Sequence, residues 1–273
     1  MRLLDVAESL MAPRASGVAD GTSYKVYGEG KTIVLIHGVG MQQAIWAPQV
    51  SALSASHQVI TYDMLGHGES RLPTEHVELA DYARQLAGLL DHLDIGECTV
   101  IGHSMGALVA LEFALRYPAR VVRVVALNAA FNRTREQRAA VLARAEALEH
   151  IGVSATIDST IERWFGNPVP AVLQGYAELV TDLMQNVDPV GYARSYRLFA
   201  TSDAAHAGRL RELALPVLYM TGELDPNSTP EMSKSMSLET PGAQCVVLKG
   251  ARHKMPITCA QEVNERILRF LDS

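Results

Sequence analysis

Residues 102–106 read Gly-His-Ser-Met-Gly, between the apolar, β-branched run Thr99-Val100-Ile101 and a segment of helical periodicity at 105–117. A serine at the apex of so short a strand-to-helix turn carries strained backbone. Its neighbours two positions away must be small, which accounts for Gly102 and Gly106. The turn also demands a fold in which a buried strand feeds directly into a helix, as parallel sheets covered by helices do.

The rest of the chain obeys that demand. Apolar runs of strand length at 32–36, 58–62, 98–102, 121–127, 217–221 and 245–248 alternate with helical patterns at 77–93, 105–117, 229–237 and 259–271. Residues 24–27, before Gly28-Glu29-Gly30, predict one more strand, antiparallel and at the sheet edge. The alternation stops between about Phe131 and Leu213, where helices are expected at 133–150, 154–165, 170–185 and 191–202. Asn167-Pro168 and Asp188-Pro189 read as the breaks between them. The expected fold class is therefore α/β, a mostly parallel β-sheet with helices on both faces and an inserted all-helical cap. Residues 20–130 and 214–273 form the core, 131–213 the cap and 1–19 an N-terminal extension. Without a repeat or low-complexity linker, one domain with a lid is expected.

Composition narrows the partners. Thirty acidic against 24 basic residues leave a net charge of −6, which recommends neither nucleic acid nor an anionic membrane surface. Cys98, Cys245 and Cys259 are widely spaced and form no metal-ligand pattern, so reduced thiols are expected. The opening segment to Gly17 lacks the apolar run of a secretory leader, and no stretch reaches the roughly 18 apolar residues of a membrane span. A cytoplasmic protein, monomer or homodimer, acting on a small molecule is the expectation.

Ser104, exposed on such a turn, points to nucleophilic catalysis, which needs oxyanion donors, a base and an orienting acid. His37-Gly38-Val39-Gly40 follows the apolar run Ile33-Val34-Leu35-Ile36, so the Val39 and Met105 N–H groups are the candidate oxyanion hole. Of the nine histidines, His253 alone lies beyond Ser104 in a post-strand loop, because His150 and His206 fall in the helical insertion. Two carboxylates follow the penultimate strand, Glu223 and Asp225. Asp225, at the loop apex before Pro226, is preferred, and Glu223 is the competitor. No carboxylate follows the strand at 121–127, where the chain reads Asn128-Ala129.

The strand-HGVG element, the segment Tyr62-Asp63-Met64-Leu65-Gly66-His67-Gly68-Glu69-Ser70, GHSMG, the loop from Gly222 to Asp225 and Ala251-Arg252-His253 together resemble the α/β-hydrolase superfamily. The resemblance runs from Tyr24 to Phe270 and implies a Ser104-His253-Asp225 triad, an acyl-enzyme intermediate and no metal or organic cofactor. It makes His67 a scaffold residue. Among members, the chain is similar to lid-bearing esterases, enol-lactone hydrolases and carbon–carbon hydrolases of ring-cleavage pathways, so an ester or lactone is the expected substrate.

Three departures narrow the choice. Serine at 104 disfavours the dehalogenases and epoxide hydrolases, which use Asp there. His103 stands where carbon–carbon hydrolases commonly carry Asn, and Lys254 stands where they carry Trp. Lys254 also resembles the lysine that plant hydroxynitrile lyases place after the catalytic His, and a ligand receptor on the same scaffold is a further alternative. Within the insertion, Trp164, Phe165, Tyr176, Tyr192, Tyr196 and Phe199 are candidates to line a pocket or to pack in the core. Arg194 and Arg197 are placed to pair with a substrate carboxylate, and Trp46 reads as packing.

Overall fold

A computed structural model describes residues 12–273. Its eight strands are β1 (Ala15–Ala19), β2 (Thr22–Tyr27), β3 (Thr32–Ile36), β4 (Gln58–Tyr62), β5 (Cys98–His103), β6 (Val121–Leu127), β7 (Val217–Gly222) and β8 (Gln244–Leu248). They form one sheet in the order β1-β2-β4-β3-β5-β6-β7-β8. β1 and β2 pair antiparallel, β2 joins β4 antiparallel, and every pair from β4 to β8 is parallel. Parallel strands need helical crossovers, and burial on both faces selects their continuous Val/Ile/Leu character. β5, at the centre, is buried at all six positions.

Four helices flank the sheet in two pairs. α1 (Ala47–Leu53) packs on the C-terminal helix α10 (Ala260–Leu271), while α2 (Leu79–His92) packs on α3 (Met105–Arg116). Between α1 and α10, buried Gln49 donates from Nε2 to the Pro256 carbonyl at 2.7 Å and to Asn264 Oδ1 at 3.0 Å. α8 (Pro230–Glu239) and the one-turn α9 (Met255–Thr258) complete the sheet's covering.

Between β6 and β7 lie four more helices: α4 (Arg135–Ile151), α5 (Ile157–Phe165), α6 (Gln174–Gln185) and α7 (Pro189–Thr201). α4 starts at a reciprocal cap, in which Gln137 N–H donates to Thr134 Oγ1 at 3.2 Å and Thr134 N–H to Gln137 Oε1 at 2.9 Å. The two ends of the segment are tied together. Asn132 N–H donates to the Asp203 carbonyl at 2.9 Å, Arg133 N–H to Asp203 Oδ2 at 2.8 Å, and the buried Arg133 guanidinium pairs with Oδ1 at 3.4 Å. α7 is seated on the core at Gly191, where a Cβ would stand 2.3 Å from the Gly66 carbonyl oxygen.

Three expectations are corrected. The strand at 24–27 is not the sheet edge, because β1 pairs outside it; the N-terminal extension expected at 1–19 therefore contains a strand, and its first eleven residues lie outside the described ones. Asp188-Pro189 does more than end α6. Asp188 Oδ1 accepts the Gly191 N–H at 2.8 Å and Pro189 takes the first turn, so the pair begins α7. The single helix expected at 259–271 is preceded by α9, which starts right after Lys254.

Among the described residues no helix is long and apolar enough to cross a membrane. Cys98, Cys245 and Cys259 are free thiols.

Candidate active site

Parallel register places the carboxyl ends of the central strands side by side: Ile36 opposite Gly102, His103 opposite Leu127, Leu127 opposite Met220, and Gly222 opposite Leu248. The loops leaving those ends carry Val39, Ser104, Asp225 and His253, at the edge where open α/β sheets hold their ligands.

Ser104 sits at φ 57°, ψ −117°, a conformation that non-glycine residues rarely adopt. Its neighbours explain why that strain persists. A Cβ on Gly102 would lie 2.0 Å from the Gly106 carbonyl oxygen, and one on Gly106 would lie 2.2 Å from that of Ile36. The Ser104 N–H is tied to the Leu127 carbonyl at 2.8 Å. The backbone is thus over-determined and presents the hydroxyl above α3.

Asp225 is buried, and its carboxylate accepts four hydrogen bonds. Oδ2 takes His253 Nδ1–H at 2.8 Å and Asn128 Nδ2–H at 2.7 Å; Oδ1 takes the N–H groups of Asn227 at 2.8 Å and Ser228 at 3.2 Å. Four donors offset the several kcal/mol that desolvating a carboxylate costs. With Nδ1–H pointing at Asp225, Nε2 is left as the basic nitrogen of His253. Glu223, the competitor, is exposed and accepts the Gly250 N–H at 2.8 Å, so it braces the loop and does not meet the imidazole.

Three supporting residues escaped the sequence reading. Asn128, noted there only for not being a carboxylate, grips Asp225. His103 donates from Nε2–H to the His253 carbonyl at 2.8 Å, fixing the loop that carries the imidazole; burial pushes its pKa well down, so it stays neutral. His37 accepts the Met64 N–H on Nε2 at 2.9 Å and donates from Nδ1–H to the Gly38 carbonyl at 2.8 Å. His67 likewise accepts the Gly40 N–H at 3.0 Å and donates to the Leu65 carbonyl. Burial holds these two at about 4 and about 3, so both are neutral struts shaping the loop at 37–40. His67 was expected as a scaffold residue; for His37 and His103 the signal was weak, because a histidine beside a glycine in a post-strand loop looks the same whether it reacts or braces.

Among the described residues, neither the Val39 nor the Met105 N–H meets an acceptor. Ser104, His253 and Val39 line one cavity of about 120 Å³, together with Gln137, Ala140, Val141, Phe199, Pro226 and Asn227. Trp164 and Tyr196 also line it; Trp164 stacks on His253 with ring centroids 5.6 Å apart and planes at 26°. Of the other aromatic candidates, Phe165 is fully buried, Tyr192 packs against Gly40, and Tyr176 lies away from the cavity.

Arg194 and Arg197 are not in this wall. Arg194 donates to the Pro73 carbonyl at 2.7 Å, and Arg197 forms an exposed ion pair with Glu149. Tyr192, Tyr196 and Phe199, spaced i, i+4, i+7, take the inward stripe of α7 and turn the two arginines away from it. The cavity's guanidiniums are Arg133, Arg144 and Arg163 instead.

Lys254 is buried and does not line the cavity; its Nζ lies 3.8 Å from the centroid of the Trp164 ring. Burial pushes the amine down to about 7, opposed by nearby Asp225. Trp46 is buried as expected, its Nε1 without a partner among the described residues. Among the described residues no group of three His, Cys, Asp or Glu side chains is placed to hold a metal ion.

Residues 33–266 match the family described as "Alpha/beta hydrolase family". The chain belongs to the alpha/beta hydrolase family. It is 34% identical over 250 residues to the (E)-2-((N-methylformamido)methylene)succinate hydrolase of Acinetobacter baylyi, covering 92% of this chain and 94% of that one. It is 31% identical over 197 residues to 3-oxoadipate enol-lactonase 1 of the same organism, covering 72% of each. Among solved structures, the enol-lactonase from Burkholderia xenovorans LB400 superposes with a TM-score of 0.86 at 27% identity, covering 95% of this chain and all of that one. The relatives are hydrolases, and this alpha/beta hydrolase shares their fold across nearly its whole length.

Proposed function

We propose that this chain is a serine hydrolase that cleaves a small-molecule carboxylic ester or lactone through an acyl-Ser104 intermediate. The observation that carries the reading is the convergence on one cavity of a strained serine, an imidazole oriented by a buried carboxylate, and the loop of Val39, whose N–H, like that of Met105 next to the serine, has no acceptor among the described residues.

In the first step His253 Nε2 takes the Ser104 proton as Oγ attacks the carbonyl, and the Val39 and Met105 N–H groups receive the oxyanion. His253 then gives its proton to the leaving oxygen. Water, deprotonated by the same nitrogen, attacks the acyl-enzyme and restores Ser104. Asp225 holds the imidazole in the tautomer that both steps need and stabilises the transient imidazolium. Trp164, lying on the ring from α5, restricts the water that reaches it, and α4 to α7 act as the lid that sets substrate size. The names of two relatives, 3-oxoadipate enol-lactonase 1 and (E)-2-((N-methylformamido)methylene)succinate hydrolase, support a small hydrolysable acyl compound as the substrate class.

Fluorophosphonate labelling read by intact mass, on wild type and Ser104→Ala, tests the reading, followed by assays on short esters and lactones. One adduct on wild type and none on the variant is expected. A folded wild type that neither labels nor hydrolyses any panel member sinks it.

A further inference from the structure

Several arginines of the helical segment have carboxylate partners. Arg133 and Arg138 share Asp203, and Arg197 pairs with Glu149. Arg144 and Arg163 have no carboxylate partner among the described residues, yet both line the cavity that holds Ser104 and His253. Two half-buried cations facing one small space are costly unless something anionic joins them.

Their side chains are fixed in place. Arg163 donates to the Ser159 carbonyl at 3.1 Å and to Thr160 Oγ1 at 3.0 Å, and its buried Nε–H has no acceptor among the described residues. Arg144 donates from Nε to the Tyr196 hydroxyl at 3.2 Å. Burial, and then the neighbouring charge of Arg144, disfavour the protonated form of Arg163, so the pair already feels its own repulsion. Guanidiniums held in this way are preorganised for a planar anion, which they bind through charge-assisted, forked hydrogen bonds. The same cavity is lined by Ala140, Val141 and Phe199, apolar surface suited to a short carbon chain.

Resting on the acyl-transfer reading above, we propose that Arg144 and Arg163 form a carboxylate-binding wall, so that the substrate is a small ester or lactone carrying a free carboxylate. That carboxylate sits between the two guanidiniums while the reacting carbonyl sits at Ser104. The wall decides which acids are accepted, and the strand-end loops decide what happens to them.

Two measurements test the wall separately from the chemistry. Succinate is titrated calorimetrically into Ser104→Ala and into Ser104→Ala/Arg163→Met. Hydrolysis of p-nitrophenyl acetate and p-nitrophenyl hemisuccinate is then compared in wild type, Arg163→Met, Arg144→Met and Arg163→Lys. In Arg163→Met the KM for the hemisuccinate should rise roughly 10- to 100-fold, the worth of one or two charge-assisted hydrogen bonds. The ratio of kcat/KM for the hemisuccinate to that for the acetate should fall by the same factor, whatever change the two esters share. Arg163→Lys should recover part of the loss, and melting temperatures check that each variant is folded.

Equal changes on both esters, unchanged KM for the hemisuccinate, or succinate binding that is absent or indifferent to Arg163 overturns the wall. Succinate binding that depends on Arg163, in a protein that fluorophosphonate does not label, would leave the wall standing and remove the hydrolase reading. Labelling without succinate binding would do the reverse.

Discussion

The two walls of the cavity are held by different means. On the strand side, Ser104, Asp225 and His253 leave β5, β7 and β8 and are fixed by backbone: N–H groups that donate to Asp225, carbonyls that accept the Ser104 N–H and His103 Nε2–H, and glycines that admit no side chain. On the helical side, Arg144, Arg163, Trp164 and Tyr196 reach inward on long side chains from helices whose outer faces are in water. Backbone placement is rigid and tolerates little change; side-chain placement on helices can be revised one residue at a time. Reaction and selectivity can therefore be altered separately, and mutations on the two sides should fail differently.

The largest effect is expected at Ser104→Ala, with kcat lowered by roughly 10⁶ and melting temperature nearly unchanged. Asp225→Asn should lower kcat by about 10⁴, because an amide favours the wrong imidazole tautomer; a loss below tenfold would mean that the four-bonded carboxylate is scaffolding only. On the other side, Asp203→Ala leaves buried Arg133 without its ion-pair partner at the neck of the helical segment. It should cost about 3 kcal/mol by denaturant unfolding. An equal fall in kcat for all substrates in that variant would blur the distinction between the walls, whereas a rise in KM alone would sharpen it.

Lys254 gives a smaller and pH-dependent effect. The unfolded chain keeps this proton up to the ordinary 10.5, whereas the folded chain gives it up near 7, so the residue adds stability as pH rises through that window. Lys254→Met should be more stable than wild type by about 1–2 kcal/mol at pH 6, with the margin shrinking towards pH 10. A margin that is flat with pH would show that burial of the charge is not what the substitution relieves. The smallest effect belongs to Arg194→Ala and Arg197→Ala, which should leave KM for the hemisuccinate within about twofold. A larger rise would relocate the anion wall to α7.

How legible each side was in the sequence follows from the same contrast. Ser104, His253 and Asp225 stand in loops whose place is set by the strands before them, so apolar runs and chain order were enough to bring them together. The edge strand β1 was missed because Ala15-Ser16-Gly17-Val18-Ala19 has little β-propensity, and its one branched residue, Val18, is 62% exposed. On the helices, periodicity tells which residues share a stripe but not which stripe faces inward. Arg194 and Arg197 were chosen on α7, while the inward-facing residues of α4, Gln137, Ala140, Val141 and Arg144, follow the i, i+3, i+4, i+7 pattern without announcing what they face. Asp203 closes the neck from 70 residues away, a pairing that no local pattern records.

The stacking of Trp164 on His253 also makes the site observable. The chain has only two tryptophans, and Trp46 is sealed in the core. A ligand arriving beside the stacked ring changes the surroundings of Trp164 and not those of Trp46, so the emission of the first should report occupancy of the cavity against the steady background of the second. Intrinsic fluorescence would then follow the filling and emptying of the cavity without a label or a chromogenic substrate.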